Sequence, residues 1–97
     1  KILIGRADVL AVFPSGRFKQ VAGCRVEKGE IRRNAKIRVV RDGKVVFDGD
    51  IDSLKRHQDD VTEVRKGFEC GVGIRGFSEF EEGDVLESYV IEMVSEV

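Results

Sequence analysis

The sequence predicts an all-β domain, an antiparallel barrel or sandwich. Three observations carry that reading. Short runs alternate apolar and polar residues with a period of two. Eleven glycines punctuate them. Only residues 52–58 and 78–82 leave room for helical turns, and both segments are too short for stable helices. Many short strands with glycine-rich turns pack as a barrel or a sandwich. Closure would remove the exposed edges that a chain with one proline does little to blunt.

The elements follow in order. Gly5 to Phe13 places Ala7, Val9, Ala11 and Phe13 on one face, and Pro14-Ser15-Gly16 ends the run. Phe18 to Glu27 resumes as a strand of small and branched residues, and Lys28-Gly29-Glu30 reads as a turn. Lys36 to Arg41 is an apolar run between charges. Asp42-Gly43 then gives the clearest local signal, a two-residue type I′ hairpin leading into KVVFDGDI. Val61 to Val64 and the glycine-rich Phe68 to Ile74 are further strands. Gly83-Asp84 introduces the last, Val85 to Val94.

With 97 residues, 41% hydrophobic and 36% charged, the chain is one domain with one modest core. Starting at Lys1 rather than Met, it reads as an excised piece of a longer protein. No window approaches the length of a membrane span, and no secretory leader is present. Two cysteines do not make a disulfide framework, and reduced thiols are the simpler expectation. The net charge of −1 hides a split: residues 1–58 hold 14 Lys/Arg against 7 Asp/Glu, whereas residues 59–97 hold 3 against 11. That split is compatible with a single-sign patch and equally with a mixed, solvated surface.

Enzyme chemistry finds little support. His57 is the only histidine, and no serine or cysteine has a base and an orienting acid at a recognisable spacing. Phosphate-loop and dinucleotide motifs are absent. Asp48, Asp50 and Asp52 alternate on one strand face but lack the glycine and terminal glutamate of a calcium loop, so they read as a solvated face. Cys24, Cys70 and a single histidine do not make a zinc site. Phe47, Phe68, Phe77 and Phe80 read as core or loop anchors rather than base-stacking platforms.

Cys24 and Cys70 have two readings. Each is a small apolar residue of the core, or both line a shallow pocket where a thiol offers a soft wall to a thioether or methyl group. Gly23 precedes Cys24 and Gly71 follows Cys70, and strand glycines mark the close approach of a ligand or another backbone. Lys55-Arg56-His57 reads as a basic loop just past a strand end, suited to a flexible phosphate chain. Arg or His there can also stack on an unpaired base.

The run AGCRVEKGEIRRNAKIRVVRDGKVVFDGDIDSLKRHQDDVTEVRKGFECGVGI, followed by FSEFEEGDVLESYVIEMV, closely resembles the C-terminal domain of bacterial-type translation initiation factor two. The likeness spans about Gly5 to Val94. A looser one, through VEKGEI and EGDVL, extends to the second domain of other translational GTPases such as elongation factor Tu. The resemblance implies a six-stranded closed antiparallel β-barrel without catalysis of its own, which recognises the formylmethionyl acceptor end of initiator tRNA. The family's binding residues fall here on Cys24, on Lys55, Arg56, His57 and Gln58, and on Glu69, Cys70 and Gly71. Lys55 and Arg56 would meet phosphates. Cys24, Cys70 and Gly71 would wall in the methionine side chain and formyl group, and Glu69 would accept a hydrogen bond. No cofactor is implied for this domain, and GTP belongs to a separate domain of the full-length factor. The ribosome is reached through that factor, nothing demands more than a monomer, and the expected location is the bacterial cytoplasm or an organelle's stroma or matrix. Family members more usually carry an aromatic residue and lysine where this chain has His57-Gln58. That exchange removes a fixed positive charge at position 58. The competing readings are a barrel that docks on ribosomal RNA through one wide basic face, and a barrel whose acidic half meets a partner protein.

Overall fold

A computed structural model describes residues 1–14, 16 and 19–91. Eight strands run in chain order: β1 (Ile2–Pro14), β2 (Gln20–Arg32), β3 (Lys36–Arg41), β4 (Lys44–Arg56), β5 (Asp59–Asp60), β6 (Glu63–Arg65), β7 (Glu69–Ile74) and β8 (Val85–Val90). Six of them close a barrel in the order β1-β8-β3-β4-β7-β2, with β2 pairing back onto β1. Every pairing in the ring is antiparallel. The short β5 and β6 lie outside the ring, on β4 and β2. No helix occurs among the described residues.

The interior is filled by alternate residues of all six strands. Ile31, Ile37, Leu54 and Leu86 are fully buried there, each contributing about 1.5–3 kcal/mol. Phe47 stacks on Phe77 at 5.0 Å, and Phe77 meets Phe80 edge-on at 5.1 Å. Phe80 is buried, whereas Phe68 is an exposed aromatic. Asp84 is buried just before β8. Arg41 donates to both its oxygens at 2.8 Å, and the Glu81 N–H also donates to Asp84 Oδ2 at 2.8 Å.

Irregularities in the ladder change several expectations. The Lys28-Gly29-Glu30 turn is instead continuous strand. Gly5 pairs with Gly29, and the register slips between Arg6 and Ala7, so that Glu27 is left over. Gly29 absorbs the distortion at φ 58°, a conformation that disfavours any side chain. A second slip, between Val9 and Ala11, leaves Leu10 unpaired. Ala7 and Val9 face the core before it and Val12 packs against the core after it, whereas Phe13 is exposed. The expected single face from Ala7 to Phe13 is therefore broken at Leu10.

Residues 52–58 form no helical turn. Asp52 to Arg56 continue β4, and a register shift between Ile51 and Ser53 lets Ile51 and Leu54, three apart, both face inward. His57 and Gln58 are a two-residue hairpin turn between β4 and β5, both at positive φ (49° and 73°). Asp42-Gly43 does the same between β3 and β4, at 53° and 78°, as the sequence predicts. Residues 78–82 are an irregular loop. Ser15, Arg17, Phe18 and residues 92–97, including the expected end of the last strand, lie outside the described residues.

Candidate functional site

Strands β2 and β7 are in register with Cys24 opposite Cys70 and Gly23 opposite Gly71. On its other side, β7 sets Gly71 opposite Lys55 of β4. The outer surface at this crossing therefore carries two residues without side chains. A cavity of about 320 Å³ forms there, within the range of small-molecule pockets. Its walls include Gly23, Cys24, Cys70 and Gly71, and its mouth carries Lys55, His57 and Glu69.

Leu10, Ala11 and Phe13 of β1 complete the wall. The Phe13 ring overhangs Gly23, at 2.9 Å from where a Cβ would stand. Sequence reading missed this apolar wall because it assumed unbroken alternation along β1. The signal available was five apolar residues in a row, Val9 to Phe13, which regular half-exposed alternation does not produce.

The eight residues singled out from the sequence separate into groups. Cys24, Lys55, His57, Glu69, Cys70 and Gly71 come together at the cavity; Arg56 and Gln58 do not line it. Lys55 and Arg56 are not a loop fanning out together but consecutive residues of β4. Arg56 sits 4.5 Å over the Phe68 ring, and its buried Nε has no hydrogen-bond partner among the described residues. Gln58 is exposed in the hairpin turn. Arg25 donates to Glu69 Oε2 at 3.0 Å across the strands, steadying the carboxylate at the mouth.

Both thiols are buried, Cys24 at 1% exposure and Cys70 at 7%. Burial pushes the Cys24 thiol well up, and the nearby Cys70 and Asp8 add to the effect. Burial also pushes the Cys70 thiol up to about 11, against a smaller opposing pull from the Arg56 guanidinium. Both are therefore neutral near pH 7 and act as soft apolar walls rather than nucleophiles. The Cys24 thiol donates to the Ala22 carbonyl at 3.4 Å.

The aspartate row on β4 is met by cations and a phenol. Asp48 accepts from Tyr89 and faces Lys1, Asp50 accepts from Lys36 at 2.9 Å, and Asp52 lies 4.0 Å from Lys19 and 3.9 Å from Arg75. Among the described residues no group of three or more His, Cys, Asp or Glu is placed to hold a metal ion.

Residues 19–87 match the model of elongation factor Tu domain 2. Curated relatives include segments of translation initiation factor IF-2 from three bacteria. The Rubrobacter xylanophilus protein is 60% identical over 85 residues, 88% of this chain and 12% of that protein. The Thermus thermophilus protein is 53% identical over 87 residues, 90% of this chain and 15% of that protein. The Caldanaerobacter subterraneus protein is 51% identical over 94 residues, 97% of this chain and 13% of that protein. The chain thus spans between 12% and 15% of the length of these three relatives.

Proposed function

The chain belongs to the elongation factor Tu domain 2 family, and from that premise we propose that it is the noncatalytic module of a translation initiation factor that binds the formylmethionyl acceptor end of initiator tRNA. The module sits at the C-terminal end of a longer cytoplasmic factor whose separate domain binds and hydrolyses GTP. It reaches the ribosome as part of that factor. The identity to segments of IF-2 supports the setting.

The observation that carries the reading is the composition of one cavity. Leu10, Phe13, Cys24 and Cys70 supply apolar and soft walls, while Lys55, His57 and Glu69 supply charge and hydrogen bonding at the mouth. A methionine side chain fits the first set, and its thioether suits thiol neighbours. The ribose and the ester group of a single-stranded 3′ end suit the second. Gly71 lets the ligand lie against the backbone. Arg56, held over Phe68 behind Cys70, is a positioning residue for that wall, and Gln58 holds the tight turn that presents His57.

Discrimination follows from the blocked amine. A free α-amino group is charged or partly charged near pH 7, and burying it in this cavity without a partner costs several kcal/mol. A formamide is neutral and hydrogen-bonds in its place. The test is an amide-shift titration of the chain with formylmethionyl-tRNA and separately with methionyl-tRNA. Shifts at Cys24, Lys55 to Gln58 and Glu69 to Gly71 with the formylated ligand alone are expected, and Lys55→Glu abolishes them. Equal binding of the two tRNAs, or binding untouched by Lys55→Glu, sinks the reading.

A further inference from the structure

A second cavity, of about 490 Å³, lies beside the first on the same barrel wall. Lys19, Val21, Asp52, Ser53, Gly73 and Arg75 are in its lining. The two cavities meet at Val21. That residue lines the second, and its Cγ1 is 3.2 Å from where a Cβ on Gly71, in the wall of the first, would stand. The sheet register repeats the relation on the other flank: Lys55 is opposite Gly71 and Ser53 is opposite Gly73. The two cavities are therefore neighbours along β4 and β7.

The second cavity has the chemistry of an anion site. Lys19 and Arg75 flank the single carboxylate of Asp52, at 4.0 and 3.9 Å. Their side chains are 72% and 73% exposed. Ion pairs so long and so solvated are weak, so both cations are available to an incoming anion, and two cations against one carboxylate leave an excess positive charge. The Ser53 hydroxyl adds a donor between them and Gly73. The Arg75 N–H donates to the Asp50 carbonyl at 3.0 Å, fixing where the arginine leaves the sheet. Arg75 lies four positions beyond Gly71, on the order of 13 Å of strand, the scale of one nucleoside carrying an ester-linked amino acid.

We infer that this cavity holds the first phosphodiester of the same ligand, the one joining its terminal nucleoside to the next, with Lys19 and Arg75 meeting the phosphate. This inference rests on the proposed function and adds a subsite to it. The binding module thereby reads the polymer as well as its aminoacyl end.

Two probes separate the subsites. Formylmethionyl-adenosine carries no phosphodiester and occupies the first cavity alone; the formylmethionyl ester of cytidylyl-adenosine carries one. Affinities of both are measured by calorimetry on the 97-residue chain and on its Lys19→Gln/Arg75→Gln variant. Both substituted side chains are solvent-exposed, so the fold is unaffected. The dinucleotide is expected to bind about tenfold more tightly than the nucleoside, and the double substitution removes that gain while leaving the nucleoside unchanged. The salt dependence of the dinucleotide should be steeper by about 0.7 in log–log slope, one phosphate's worth on a single strand, and this difference also vanishes in the variant. Equal affinities of the two ligands for the unsubstituted chain, or a gain that survives the double substitution, overturn the second subsite while leaving the first intact. Failure of both ligands to bind removes the proposed function and the inference with it.

Discussion

Cys24 and Cys70 face each other across β2 and β7, and burial keeps both protonated. At pH 8, Cys70, its thiol pushed up to about 11, should react with iodoacetamide roughly 100-fold more slowly than a free cysteine. Cys24, more deeply buried, should react more slowly still. Mass-spectrometric labelling kinetics measure both rates, and faster modification of Cys24 would show that the cavity wall is not as described. Residue identities were legible in the sequence here, because cysteines next to strand glycines form a recognisable pattern. Their opposition was not legible, since register is a property of two strands and the sequence presents one at a time. For the same reason Lys55 and Arg56 read as a pair of loop cations, whereas neighbouring residues on a strand point to opposite faces.

At the scale of elements, glycines divide into those that hold the ladder together and those that leave room for a ligand. A Cβ on Gly5 would stand 1.9 Å from the Glu30 carbonyl oxygen, where only backbone movement makes space. Gly5→Ala should cost on the order of 3 kcal/mol. A Cβ on Gly71 would meet only the Val21 side chain, at 3.2 Å. Gly71→Ala should therefore leave the unfolding free energy within about 0.5 kcal/mol of the original while weakening acceptor-end binding, because the new methyl fills the cavity wall. Chemical denaturation with a parallel binding titration distinguishes the two; a large stability loss in Gly71→Ala would count against its assignment to the site. The strands themselves were readable from alternation, and Asp42-Gly43 from turn chemistry. The bulges at Glu27 and Asp52 were not readable. A bulge inserts one residue without changing composition, and the alternation that follows is merely out of phase.

Across the whole molecule, the charge split between the two halves of the sequence is neutralised by topology. β3 lies beside β8, so basic side chains from the first half meet acidic ones from the second: Arg38 with Glu87 at 2.6 Å, and Arg41 with Glu81 at 2.7 Å and Asp84 at 2.8 Å. A wide single-sign face is not what the pairing produces, and halves of a sequence are poor guides to faces of a barrel. Of these pairs, Arg41–Asp84 has the largest consequence for stability. The hydrogen bonds from Arg41 hold the buried Asp84 carboxyl below its ordinary value, with a further contribution from the Glu81 N–H. Because the native value lies below the unfolded one, the stabilisation is complete above about pH 4 and is lost as pH falls through the depressed native value. Asp84→Asn should cost about 2 kcal/mol at pH 7 and flatten the acid limb of a stability-against-pH curve measured by urea unfolding. An unchanged acid limb would assign that limb to other carboxylates.

The ring also closes between the first and last described strands, with Ile2 opposite Val90. A pull applied through those two neighbouring ends acts along the hydrogen bonds of the ladder rather than across it, because antiparallel bonds run perpendicular to the strands. The β1–β8 pairs are then loaded one at a time. Mechanically the barrel is a zip, opened from the seam where Ile2 and Val90 stand side by side.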